Sequence, residues 1–295
     1  MSLQKPTVAS FFDRATNTAS HIVSDPSTKR AAIIDSVMDY EPASATISYE
    51  SADAIIACVK KEGLSIEWIL ETHVHADHLS AAPYLQQKLG GKLGIGEKIT
   101  DVQKIFGKVF NAGTEFARDG SQFDRLWKDG DSFSVGDVNA RVIYTPGHTP
   151  ADVSYVIGDA VFVGDTLFMP DYGSARCDFP GGSAENLYES VQKIFALPDE
   201  TRMYLCHDYL PANRENFAWE TTVGEQKRFN VHLRSGNSKE TFVRERTSRD
   251  ETLGAPKLII PSLQVNMRSG KLPEPEDNSE RYLKVPVNGI FSKKK

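Results

Sequence analysis

The stretch Glu71-Thr72-His73-Val74-His75-Ala76-Asp77-His78 sets three histidines and an aspartate within six positions of a chain that has 7 histidines in all. A lone histidine is most often a satisfied structural residue, so a polar loop is the simplest account of any one of them. Imidazole is also the commonest nitrogen ligand of transition metals and carboxylate its usual anionic partner, so the cluster reads as a metal site. The preceding residues 64–70, Leu-Ser-Ile-Glu-Trp-Ile-Leu, read as a short strand, with a helix over 51–61 before it. If the chain stays extended past that strand, His73 and His75 project to the same side and face one point. The apolar periodic run 79–89, closed by Gly90-Gly91, reads as a helix. The histidines would then sit on a fixed platform between a strand end and a helix.

The rest of the chain bounds what such a site can serve. At 295 residues, with 40% hydrophobic and 25% charged residues, the composition is that of an ordinary globular protein able to bury a large core. A formal net charge of −6 argues against a nucleic-acid partner, which would need a basic face. No run approaches the roughly 20 apolar residues of a membrane span. The first residues lack the continuous apolar stretch of a signal peptide, so a cytoplasmic location is expected. Cys58, Cys177 and Cys206 are scattered and without paired spacing, which indicates free thiols rather than a disulfide framework or a structural zinc site.

Along the chain, 20–24 and 31–35 read as a hairpin turned by Asp25-Pro26-Ser27. Helix and strand then alternate to about residue 100. Short strands at 140–145, 153–157 and 160–164 suggest antiparallel sheet. A helix over 185–197 and a strand at 203–207 repeat the pattern of the first half, so two sheets packed face to face and flanked by helices are expected. The glycines of 91–96 lack a third member of a phosphate-binding pattern and read as turns. Residues 221–234 and 239–249 read as charged helices with a solvated face, and 261–286, with four prolines, as an extended segment. The organisation expected is a catalytic domain over 1–234 with a helical and extended appendage, 235–295, packed on it. The closing Ser292-Lys293-Lys294-Lys295 reads as a frayed tail.

Three later segments carry ligand-type residues at strand ends. In Tyr144-Thr145-Pro146-Gly147-His148-Thr149 a Pro-Gly turn pushes His148 out of the sheet. Asp165 follows Val163-Gly164, and His207 ends the apolar run Leu205-Cys206. Together with the first cluster, these motifs resemble the successive signatures of the metallo-β-lactamase superfamily, over residues from about 10 to 220. The resemblance implies an α+β fold, the αββα sandwich, with metal at the sheet edge. Within that superfamily the chain is most similar to the glutathione persulfide dioxygenases, with Arg176-Cys177-Asp178-Phe179 and the late segment 261–270 as supporting features. The stretches 111–127 and beyond Asn230 depart from shorter members.

Two chemistries fit the donors His73, His75, Asp77, His78, His148, Asp165 and His207, and spacing alone does not separate them. The resemblance implies one Fe(2+) per chain held by His73, His148 and Asp165, a two-histidine, one-carboxylate face with open positions. His75, Asp77, His78 and His207 would then orient ligands and water. The reaction implied oxidises glutathione persulfide with O2 and water to sulfite and glutathione. The alternative is a glyoxalase II-like thioester hydrolase in which Asp165 bridges two ions that activate a hydroxide. A metal-binding scaffold without catalysis would need an incomplete donor set, and every motif is intact. Glutathione carries two carboxylates, so Arg176 is the first candidate to bind it, followed by Tyr172 and Arg268. Cys206 is expected to point away from His207 by strand alternation, and Cys177, beside Arg176, is open as a reactive thiol. Self-association is left open by the sequence.

Overall fold

The computed structural model describes residues 5–212 and 214–290, so the terminal lysine run lies outside the described residues. The first half comprises β1 (Thr7–Asp13), β2 (Thr18–Ser24), β3 (Arg30–Ile34), β4 (Val37–Glu41), β5 (Thr46–Ser48), α1 (Glu50–Glu62), β6 (Ser65–Leu70), β7 (Leu79–Ser80), α2 (Ala82–Leu89), β8 (Lys92–Gly96), α3 (Ile99–Val109) and β9 (Arg125–Trp127). The second comprises β10 (Ser132–Val135), β11 (Val138–Tyr144), β12 (Val153–Ile157), β13 (Ala160–Phe162), α4 (Ala184–Phe195), β14 (Arg202–Tyr204), β15 (Glu220–Thr222), α5 (Val223–Phe229), α6 (Lys239–Asp250) and α7 (Ile259–Asn266). One six-stranded sheet runs β1-β2-β3-β6-β8-β9 and the other β10-β11-β12-β13-β14-β15. Both are mixed: β3, β6, β8 and β9 are parallel neighbours in the first, and β13 and β14 in the second. A small sheet, β5-β4-β7, lies beside them.

The apolar run of β3 explains the layering. Successive strand side chains face opposite ways, and a strand covered on both faces reads as continuously hydrophobic. Ala31 and Ile33 accordingly join the core beneath α1, α2, α3 and α7, while Ala32 and Ile34 join the core between the sheets. That central layer meets Val142, Tyr155 and Phe162 of the second sheet, and a third core packs Leu187, Val191 and Ile194 of α4 on that sheet's outer face. The expected αββα sandwich stands.

Several elements differ from the sequence expectation for physical reasons. β1, which the sequence reading did not assign, precedes the expected hairpin and pairs along its length with β2. The helix expected from Leu79 starts at Ala82, because Leu79 and Ser80 pair with Met38 and Val37 and Pro83 suits a helical first turn. The glycine-rich 92–96 is strand, not turns: a side chain at Gly94 would place its Cβ 2.5 Å from Trp127 Nε1. Part of the expected extended segment is α7, where Pro261 falls in the first turn and loses no intrahelical bond. The C-terminal helices also bury more than a solvated face would. Phe242, Arg246 and Asp250 of α6 are buried, and Ile259, Leu263 and Val265 of α7 lie in the first core. Among the described residues no helix is long and apolar enough to cross a membrane.

Phe162 is 1% exposed between the sheets, whereas Val287 is 84% exposed. Phe162→Ala is expected to cost about 3–5 kcal/mol in denaturant unfolding of the metal-loaded protein. Val287→Ala should stay within about 0.5 kcal/mol of the parent.

Candidate metal centre

Four strand ends build the centre. His73 follows β6 of the first sheet, while His148, Asp165 and His207 follow β11, β13 and β14 of the second. The sheets are joined there by an isolated bridge between Thr18 and His207 and by the Ala19 amide, which donates to the Cys206 carbonyl at 2.6 Å. Gly164, at φ +52, allows the close approach that brings Asp165 in. A Cβ there would lie 2.4 Å from Thr72 Oγ1.

Hydrogen bonds set which nitrogen each ring turns toward the centre. Thr72 donates its hydroxyl to Asp35 Oδ2 at 2.8 Å, so it accepts from His73 Nδ1 at 2.9 Å and leaves His73 Nε2 bare. His148 Nδ1 donates to the Arg176 carbonyl at 2.8 Å, which likewise frees Nε2. His207 Nδ1 donates to the Asn17 carbonyl at 3.1 Å. His75 is turned the other way: its Nε2 faces Asp35 Oδ1 at 3.1 Å and Glu71 Oε2 at 3.0 Å. Five buried donor atoms are left without a hydrogen-bond partner: His73 Nε2, His75 Nδ1, His78 Nε2, His207 Nε2 and Asp165 Oδ1. Buried polar atoms are almost always partnered, so this concentration of bare donors is what a cation site would leave, and the residues fit a metal ion.

Two groups of donors have ligand atoms within 4.8 Å of one another, His73, His148 and Asp165, and His75, Asp77, His78 and His207; Asp165 also groups with Cys206 and His207, and His75 with Asp35 and Glu71. In the first, His148 and His73 Nε2 stand 3.5 and 3.9 Å from Asp165 Oδ2. Two ligands on one ion lie at most about 4.2 Å apart, given metal–ligand distances near 2.1 Å, so this spacing suits a single ion. In the second, His207 Nε2 approaches Asp77 Oδ2 at 3.2 Å and reaches Asp165 Oδ1 at 3.4 Å. The rings of His73 and His75 lie together, with centroids 4.1 Å apart, while their donor atoms fall in different groups. Residues 71–78 bend instead of continuing β6, and the Asp35–Glu71 pair draws His75 into the second group.

The electrostatics follow from burial and these partners. Burial, helped by the neighbouring imidazoles, pushes His73 well below the usual histidine pKa and keeps it a neutral ligand. Burial opposes a charge on His75, yet Asp35 and Glu71 outweigh it and hold the ring well above the usual value. Burial also raises Asp165, against the pull of His207 and His148. Cys206 is buried as expected but does not point away. Beyond the end of β14 the alternation lapses, and its sulfur groups with Asp165 and His207. Cys177 is buried and burial pushes its thiol up, which removes it as a reactive thiol.

Outside the ring of donors, a cavity of about 660 Å³ opens onto Asp77, His148 and Asp165, with Phe168, Tyr172 and Tyr209 on its wall. Arg176 lines it, but its fork is filled: Nε and Nη2 donate to Asp178 at 2.6 and 2.7 Å and Nη1 to the Gly254 carbonyl at 2.6 Å. Arg268 lies elsewhere, lining a separate cavity and stacked over Phe116 at 4.4 Å. Three groups were missed from sequence. Arg249 and Lys257 line the main cavity and, among the described residues, carry no ion pair; Arg249 lies over Tyr172 at 5.7 Å. The third is Asn266 of α7, which donates to the His75 and His78 carbonyls at 2.9 and 2.8 Å and accepts from the Ser80 amide at 2.8 Å, fastening the metal-site loop. The spacing of Phe242, Arg246, Arg249 and Asp250 by three and four residues was the available signal on α6.

Residues 14–207 match the family model described as the metallo-beta-lactamase superfamily. The chain is 50% identical to Glyoxylase B2 of Dictyostelium discoideum over 92% of this chain and 93% of that one. It is 29% identical to the human mitochondrial persulfide dioxygenase ETHE1, over 88% of this chain and 87% of the other. Among solved structures, ETHE1 from Myxococcus xanthus superposes with a TM-score of 0.71 at 29% identity, covering 90% of this chain and 100% of its own. With its sandwich, its strand-end donors and this match, the chain belongs to the metallo-beta-lactamase superfamily.

Proposed function

We propose that the chain is a mononuclear non-haem iron dioxygenase that oxidises glutathione persulfide. The observation that carries this reading is the grouping of His73, His148 and Asp165, a two-histidine, one-carboxylate set. The likeness to ETHE1 over most of both chains supports it. The overall change takes one O2 and one water per persulfide and yields glutathione, sulfite and two protons. When bound at the three donors, iron supplies the redox chemistry that lets a closed-shell persulfide react with ground-state dioxygen, which zinc lacks. His73 and His148 present neutral Nε2 atoms whose direction is fixed by Thr72 and the Arg176 carbonyl. Phe168, Tyr172 and Tyr209 form an aromatic wall that restricts water, and Tyr209 stacks on His207 at 5.7 Å.

A second reading, hydrolysis of a glutathione thioester at a two-metal centre, is favoured by the bare nitrogens of His78 and His207 beside Asp77 and by the higher identity to Glyoxylase B2. It would use His75 through Nδ1, the ring nitrogen that the Asp35–Glu71 pair on Nε2 leaves bare. The two readings share a glutathione-derived substrate, for which a cavity of about 660 Å³ is of suitable size. With Arg176 committed to Asp178, Arg249 and Lys257 are, among the described residues, cavity-lining cations without an ion pair that can meet its carboxylates, Arg249 keeping one contact of 3.4 Å to His232 Nε2.

An oxygen electrode separates the readings. Glutathione persulfide is expected to drive oxygen uptake and S-lactoylglutathione to remain intact; hydrolysis of the thioester without oxygen uptake would establish the alternative. Arg249→Ala and Lys257→Ala should each raise KM about two- to fivefold with kcat nearly unchanged, because exposed charge contacts are screened. The effect should shrink as salt is added. Equal loss in kcat would place these residues in the structure of the wall and not in substrate binding.

A further inference from the structure

The segment from Phe168 to Cys177, between Asp165 and α4, walls the cavity and is fastened at several points to the C-terminal helices. Gln226 Nε2 donates to the Phe168 carbonyl at 2.8 Å and Asn230 Nδ2 to the Gly173 carbonyl at 3.1 Å. Arg246 Nη1 donates to the Ser174 carbonyl at 3.1 Å, and Asp250 Oδ2 accepts from the Cys177 amide at 2.8 Å. Between these last two anchors lies Arg176, whose carbonyl accepts from His148 Nδ1.

Arg246 and Asp250 are paired by two bonds of 2.9 and 2.6 Å and are 3% and 4% exposed. Burying an ion pair costs desolvation that apolar residues of similar volume avoid, and Phe242 already anchors the helix in the core. The pair is placed where a fixed geometry matters: each member spends a remaining bond on the backbone that carries the Arg176 carbonyl. We infer that Arg246 and Asp250 are positioning residues for the metal centre. Through Ser174 and Cys177 they hold the Arg176 carbonyl in place, which fixes the ring of His148 and turns its Nε2 toward the ion. This inference rests on His148 as a ligand.

The test is the rate at which full-length, metal-loaded protein surrenders its ion to excess chelator, measured beside the thermal midpoint of the saturated forms. His148→Ala sets the scale for loss of a ligand. Asp250→Ala is expected to release metal about 10- to 100-fold faster than the parent, the range for partners that orient ligands. Asp250→Asn, whose amide oxygen can still accept from the Cys177 amide, should recover part of that loss. Arg246→Lys, which retains the charge, should release several-fold faster and covers the case in which Asp250→Ala does not fold. Lys239→Ala, which removes the surface contact of α6 with Glu189 at 2.8 Å, should release at the parental rate. Parental release in Asp250→Ala or Arg246→Lys, with fast release in His148→Ala, would overturn the inference whatever happens to the thermal midpoint. Equal release by Asp250→Asn and Asp250→Ala would also overturn it. Parental release in His148→Ala would overturn the ligand assignment and the inference together.

Discussion

The Asp35 carboxylate occupies the pivotal position in this molecule. It follows β3 at φ +53, a left-handed conformation that turns the chain out of the sheet. There one oxygen accepts from the Thr72 amide at 2.8 Å and faces His75 Nε2 at 3.1 Å, while the other accepts from the Thr72 hydroxyl at 2.8 Å. That last bond commits the hydroxyl proton, which in turn fixes the tautomer of His73. One buried carboxylate thus orients both neighbouring histidines, leaving His73 bare at Nε2 and His75 bare at Nδ1. An unpartnered buried donor or acceptor costs about 1–3 kcal/mol. The convergence of several such atoms is tolerable only where a cation meets them, so the surrounding framework is arranged to withhold the ordinary partners.

The C-terminal helices belong to the same arrangement. Asn266 grips the carbonyls on either side of Ala76 and Asp77, Arg246 and Asp250 grip the loop behind His148, and Gln226 and Asn230 fasten the wall beyond Asp165. These bonds run from side chains to backbone, which fixes loop position without competing for the metal. The sandwich supplies strand ends, and residues beyond 220 hold what those ends present.

Much of the site was legible in the sequence because strand ends and ligand-type residues leave local patterns. The histidine cluster after 64–70, the Pro-Gly turn before His148 and the glycine before Asp165 each announce a side chain leaving a sheet. The strand at 31–35 was legible from its apolar run and the turn before it. What escaped depended on distant partners. No local pattern shows that Asp35 will meet His75, that Asp178 will fill the fork of Arg176, or that Arg268 will stack on Phe116 away from the cavity. The polarity of α6 suggested a solvated helix because its mean composition is charged, although the spacing of Phe242, Arg246 and Asp250 marks one buried face. The bend at 71–78 likewise breaks the alternation that an extended chain would give.

The choice between one ion and two in this chain turns on the Nδ1 atom of His75. Asp35 and Glu71 hold the Nε2 of that ring and leave Nδ1 bare; on the proposed reading that nitrogen takes no metal, and on the alternative it binds one of two ions. Anomalous scattering at the iron and zinc edges, from crystals of protein purified without added metal, reads that state directly. The account predicts one iron held by His73, His148 and Asp165, with no ion on His75 Nδ1. Two full-occupancy ions about 3.5 Å apart, bridged by Asp165 with His75 bound to one of them, would contradict it.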